Sequence, residues 1–117
     1  MEDVRIIMEV LRMALNKDYE DSAGIIISYW NIPRIEIKKL DDYVRIFVYG
    51  YINADTRNSG KTNATERIFI INNDEGLMDK YFSAEQMDFY NENIYELGYR
   101  YLKENETMFE DAIDIIE

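Results

Sequence analysis

The tripeptide Gly60-Lys61-Thr62 ends the stretch from Asn53 to Thr62. It is the kind of ending that closes a phosphate-binding loop. Such a loop needs a glycine, four residues and then Gly-Lys-Ser/Thr. It must leave a strand and enter a helix, whose N-terminal amides hold the phosphate. Counting back, the first glycine should stand at 55, and the chain has Asp55 there, an anion where an anion must bind. The residues after it, 63–72, read as a strand. The stretch is therefore expected to be a hairpin loop between antiparallel strands, rich in Asn, Ser and Gly, and no cofactor is expected there.

Other chemistry is thinly supplied. The chain has no histidine and no cysteine, so the commonest general base, the commonest metal ligand and every thiolate are missing. Catalysis would fall to Asp, Glu, Lys, Tyr or Ser, and no nucleophile, base and orienting group stand in a recognisable pattern. Glu110, Asp111 and Asp114 have oxygen ligands for a hard cation. The same spacing suits the acidic first turn of a helix, and no metal site is expected. The reading is a non-enzymatic protein without cofactors.

The 24 acids against 13 bases give a formal net charge of −11, unevenly placed. Residues 1–72 hold 11 acids and 10 bases. Residues 73–117 hold 13 acids and three bases, Lys80, Arg100 and Lys103. Within that segment Glu85, Asp88, Glu92 and Glu96 are spaced by 3, 4 and 4, one face of a helix, turn above turn. Like charges so placed cost a few tenths of a kcal/mol per pair, so helix stability alone does not favour them. At about 5.4 Å per turn they form a row with a repeat of the order of the phosphate spacing along a nucleic-acid strand. Asp74, Glu75 and Asp79 precede the row. These seven residues form the candidate partner-binding surface. A solvated face that keeps a small protein soluble accounts for the same pattern. The acidity argues against direct contact with nucleic acid or an anionic membrane, both of which need a basic face.

These side chains need elements to hold them. The 117 residues correspond to one domain, and 47% hydrophobic residues are enough for a core. Residues 3–17 read as a helix, with Val4, Ile7, Met8, Leu11, Ala14 and Leu15 at helical spacing. Strands are expected at 24–32, 34–40, 43–52 and 66–72, with a turn or strand edge at Pro33 and a turn at Asp41-Asp42. The strand at 43–52 puts Tyr43, Tyr49 and Tyr51 on one face, either core under a helix or a binding platform on an open sheet face; aromatics in a strand usually pack, which favours the core. A helical turn is expected at 77–82. Ser83 opens a capping box and a helix over 84–104, whose buried stripe is Met87, Tyr90, Ile94, Leu97, Tyr101 and Leu102. Thr107 to Glu110 form a second capping box for a final helix with Met108, Phe109, Ala112, Ile113 and Ile116 inward. The expected fold class is α+β: an N-terminal helix, a three- to four-stranded antiparallel meander and acidic C-terminal helices. The N-terminus begins acidic and has Arg5, Glu9 and Arg12 within its apolar stretch, unlike a signal peptide. No stretch approaches the roughly 18 apolar residues of a membrane span, and a cytoplasmic protein is expected.

In outline the chain resembles the small acidic anti-CRISPR and anti-restriction inhibitors of phages and mobile elements. The pieces that match are the helix ending Asn16-Lys17-Asp18-Tyr19, the sheet at 24–72 and the acidic segment 73–117. The resemblance lies in size, order and charge, with no specific motif. It implies a DNA mimic that occupies the basic groove of a nucleic-acid-binding protein, such as a CRISPR effector nuclease of the Cas9 type. Two other readings share the charge logic: an immunity or antitoxin-like protein that caps a basic toxin nuclease, and a generic acidic interaction module.

Overall fold

The computed structural model describes residues 13–38, 43–60, 62–72, 76–83 and 94–116. Their framework is a five-stranded sheet in the order β4-β3-β2-β1-β5, antiparallel at every pairing. The strands are β1 (Met13–Glu20), β2 (Ile26–Lys38), β3 (Tyr43–Tyr51), β4 (Thr65–Asn72) and β5 (Ile113–Ile116). A short helix α1 (Ala54–Asn58) joins β3 to β4, α2 (Leu77–Phe82) follows β4, and α3 (Ile94–Asn105) leads into a 3-10 turn at Thr107–Phe109.

This corrects the expected fold class. Residues 13–17, expected to finish an N-terminal helix, form the start of β1; residues 1–12 lie outside the described residues. The neighbours Ala14 and Leu15 are both buried, on different sides of the sheet. Leu15 joins the main core, while Ala14 packs with Tyr29 and Tyr51. A strand covered on both faces buries adjacent side chains, so an adjacent apolar pair serves it as well as it serves a helical stripe. β1 is covered in this way, with Leu15 in the main core and Ala14 in the cluster of Tyr29 and Tyr51.

The expected final helix is corrected too. Thr107 lies inside the 3-10 turn instead of capping it. Asp111 then turns left-handed at φ 63°, which stops helical progress, and residues 113–116 add to the sheet beside β1. The two strands expected on either side of Pro33 are one strand, β2. Its register against β3 breaks between Asn31 and Arg34, with one extra residue on β2. A bulge is where a strand tolerates a proline, since the ladder already omits a donor there. The strands expected at 43–52 and 66–72 correspond to β3 and β4. Of the helix expected over 84–104, the described part is α3. Residues 39–42 and 84–93, with the turn at Asp41-Asp42 and the stripe residues Met87 and Tyr90, lie outside the described residues.

One face of the sheet carries the main core. Val44, Ile46, Val48 and Ile71 meet Leu97 and Leu102 of α3, Tyr81 and Phe82 of α2, and Phe109 of the 3-10 turn. Trp30 is at its centre. Its indole N–H donates to the Lys17 carbonyl at 2.8 Å, and Tyr19 and Phe109 present edges to its ring at 6.1 and 5.4 Å. Gly50 lies opposite Trp30 on β3 and leaves the indole its space.

Tyr99 ties α3 to the sheet with one hydroxyl. It accepts from the Ile32 amide at 2.9 Å and donates to the Met13 carbonyl at 2.9 Å. In Tyr99→Phe the ring stays and both backbone groups lose their partner. A loss of about 1–3 kcal/mol is expected for each group left unpaired in a buried place, measured by urea unfolding. Burial pushes the Tyr99 hydroxyl well above its ordinary 10.0. The unfolded chain ionises near 10, so this contribution is whole below that pH and is lost as pH rises past it. Between about pH 9 and 11 the wild type should lose more Tm than Tyr99→Phe. Equal slopes would count against the assignment.

Candidate functional site

The acidic row expected from the sequence is largely beyond what the structure describes. Asp74, Glu75, Glu85, Asp88 and Glu92 lie outside the described residues. Asp79 is in α2, with its side chain outside the description. Glu96 is placed in the first turn of α3, half-buried and with an interaction partner. Of the seven, Glu96 alone has its side chain among the described residues.

The other acids of the C-terminal segment, among the described residues, fall into two groups. Glu104 and Glu106 are held by buried tyrosines. The Tyr81 hydroxyl donates to Glu104 Oε1 at 2.7 Å and receives the Asn105 amide at 2.9 Å. The Tyr101 hydroxyl donates to Glu106 Oε1 at 3.0 Å. The two rings meet edge to face at 5.4 Å. Burial, and then the carboxylate beside each, raise both tyrosines above 10.0. Asp114 is paired with Lys103 Nζ at 2.8 and 2.9 Å. Glu110 and Asp111 form the second group, exposed on the turn into β5. Among the described residues no three acids gather as a metal site.

The second face of the sheet has a different chemistry. Across β2, Arg34, Glu36 and Lys38 stand opposite Phe47, Arg45 and Tyr43 of β3. Arg34 lies 4.0 Å above the Phe47 ring and Arg45 lies 5.1 Å from the Tyr43 ring, arrangements in which the ring face attracts the cation. Glu36 is the common anion, within 3.7–3.8 Å of Arg34, Lys38 and Arg45. Tyr51 is buried here with Tyr29 and Ala14, and Tyr49 packs beside them. Tyr43 and Tyr49 are half-buried. The tyrosine face expected to be core thus divides into a small buried cluster and an Arg-aromatic lattice. On β4 next to it, Ile68 and Ile70 are 52% and 56% exposed. The alternation Arg34/Glu36/Lys38 was readable in the sequence. Its pairing with the β3 aromatics depends on the bulge, and that signal was missed.

The Gly-Lys-Thr stretch follows a strand, β3, as a phosphate loop does, but enters no helix after the tripeptide. Asn53 caps α1, its Oδ1 accepting from the Thr56 amide at 2.8 Å, and Asp55 is in that helix. Gly60 turns at φ 73°, and the chain continues into β4, a strand, where phosphate binding needs a helix N-terminus. Lys61 lies outside the described residues. Among the described residues no helix is long and apolar enough to cross a membrane. Compared with family models, curated proteins and solved structures, the chain matches none.

Proposed function

We propose that the chain acts by stoichiometric binding, without catalysis or cofactor. Its acidic segment is presented to a basic nucleic-acid-binding protein and fills the groove that holds nucleic-acid phosphates. By its resemblance to phage-type inhibitors, the partner class is a CRISPR effector nuclease, met in the host cytoplasm. The observation that carries the reading is the division of charge: 13 acids against three bases in residues 73–117. One of those bases, Lys103, is already neutralised by Asp114. Glu110 and Asp111 add exposed carboxylates at the far end of the segment. Complementary charge of this kind speeds encounter and excludes competing polyanions.

The test is capture from an extract containing candidate nucleases, comparing the wild type with Glu85, Asp88, Glu92 and Glu96 all changed to Gln. The expected result is a nucleic-acid-binding protein retained by the wild type, displaced by duplex DNA and lost with the Gln variant. Losing four charge contacts is expected to weaken binding by about tenfold or more. Equal capture by both proteins, or capture indifferent to DNA, would overturn the proposal. Retention of a toxin nuclease would favour the immunity reading.

A further inference from the structure

The second face of the sheet has binding capacity of its own, independent of the acidic segment's proposed role. Arg34, Phe47 and Ile68 stand abreast on β2, β3 and β4, and Glu36, Arg45 and Ile70 form the next row. Lys38 lies one row further, opposite Tyr43. The cations are open to solvent, with the side chains of Arg34, Lys38 and Arg45 63%, 49% and 42% exposed. All three share one carboxylate, Glu36, and none comes closer to it than 3.7 Å. That is beyond hydrogen-bond length, so donors remain for a partner's carboxylates. Glu66, the other acid of this face, lies one row beyond Phe47, opposite Tyr49. Residues 34–72 hold seven bases and five acids, while the rest of the chain holds six bases and 19 acids. At physiological ionic strength a field falls off over about 8 Å, so the local sign decides contact here.

Beside the cations is an apolar strip. Ile68 and Ile70, both more than half exposed, are neighbours on the edge strand β4. The helices α2 and α3 and the 3-10 turn pack on the opposite face. Ala54 of α1 joins the cluster of Tyr29 and Tyr51. The rows from Arg34 to Lys38 therefore have no second layer among the described residues, and a sheet is ordinarily completed by one. β2 and β4 are two strand spacings apart, about 10 Å, the width of one α-helix. From Arg34 to Lys38 the strand runs about 13 Å, about two and a half helical turns. A helix laid along the strands can rest an apolar stripe on Ile68 and Ile70 and hold carboxylates over the cations. A guanidinium is a planar fork matched to a carboxylate.

We propose that this face docks an acidic amphipathic helix of a partner protein. Its carboxylates, three or four residues apart, pair with Arg34, Arg45 and Lys38. Its apolar stripe covers Ile68 and Ile70. Charge complementarity sets the choice of partner, and the exposed isoleucines make an apolar stripe part of the requirement.

The experiment is an NMR titration of the ¹⁵N-labelled full chain with a capped peptide of two Glu-Leu-Glu-Glu-Leu-Leu-Glu repeats. A second peptide has Ser at every Leu, and a single-stranded thymidine oligomer of equal length tests for a plain polyanion site. Saturable shifts are expected at Glu36, Arg45, Phe47, Ile68 and Ile70, with the Leu peptide binding about tenfold more tightly than either control. Ile68→Thr together with Ile70→Thr should bring the Leu peptide down to the level of the Ser peptide. Lys38→Gln together with Arg45→Gln should weaken it about tenfold. Should one of these double variants fail to fold, the other decides the matter. The proposal is overturned by no saturable shift on this face, by the Ser peptide or the oligomer binding as tightly as the Leu peptide, or by a folded variant that binds unchanged. Concentration-dependent shifts at Ile68 and Ile70 without peptide would also overturn it, since a second copy of the chain would then be the occupant.

Discussion

Phe109→Ala is expected to lower stability by about 3–5 kcal/mol, a large share of the roughly 5–15 kcal/mol that holds a domain folded. The side chain is fully buried. Its ring stands edge-on to Trp30 at 5.4 Å and to Phe69 at 5.8 Å, so one truncation removes two aromatic contacts. The void would not collapse easily. Phe109 is on a 3-10 turn fixed by its own amide donating to the Glu106 carbonyl at 2.9 Å and by Ala112 donating back to it at 3.0 Å. The turn also launches β5, so loosening it should release that strand. Urea unfolding followed by the fluorescence of Trp30, the chain's single tryptophan, measures the loss. Hydrogen exchange should show greater deprotection between β1 and β5 than between β2 and β3. A loss under about 1 kcal/mol, the ordinary scale for a point change, would sink the idea that Phe109 anchors the C-terminal strand.

Gly50→Ala is the second large effect, and Gly98→Ala is its control. A Cβ at position 50 would stand 2.6 and 2.8 Å from Trp30 ring atoms and 2.9 Å from Ile27 Cγ2. The indole cannot swing away, because it is fully buried and its N–H is fixed on Lys17. The added methyl is expected to cost about 1–3 kcal/mol as overpacking. A Cβ at Gly98 meets the Cδ1 ends of Ile35 and Ile32 at 2.9 and 3.2 Å. Those ends can rotate, and alanine gains up to about 1 kcal/mol over glycine inside a helix. Gly98→Ala should therefore fall within about 1 kcal/mol of the wild type. Parallel urea curves decide it. Equal losses at both positions would mean that flexibility of the neighbouring side chain is not what separates them.

The middle of the fold was legible from local pattern, and the two ends were not. β3 and β4 have strongly β-branched and aromatic runs, and their periodicity allowed one answer. The run Met13-Ala14-Leu15 allowed two. Its apolar spacing fits a helix stripe, and it equally fits a strand buried on both faces. Sheet partners remote in sequence chose the second. Residues 107–116 are ambiguous for the same reason: a capping-box pattern and Ile113 and Ile116 at helical spacing suit a helix until β1 provides an open edge. Pro33 by itself fits a turn or a strand edge, because a bulge is a property of two paired strands, which a single strand's sequence does not contain. At the candidate sites, the charge division could be counted directly. The mixed face of Arg34, Arg45 and Ile70 could not, since it depends on the registers of three paired strands.

The pairing of Met13 with Ile116 joins positions about a hundred residues apart, a closure whose entropy grows only slowly with length but which must wait for β5 to be made. On the ribosome β2, β3 and β4 can assemble as they emerge, while β1 keeps one row of amides and carbonyls uncovered until the final strand is made. At about 5–20 residues per second that interval lasts several seconds. For that time the nascent sheet has an adhesive border, and chains stopped before residue 113 would keep it permanently.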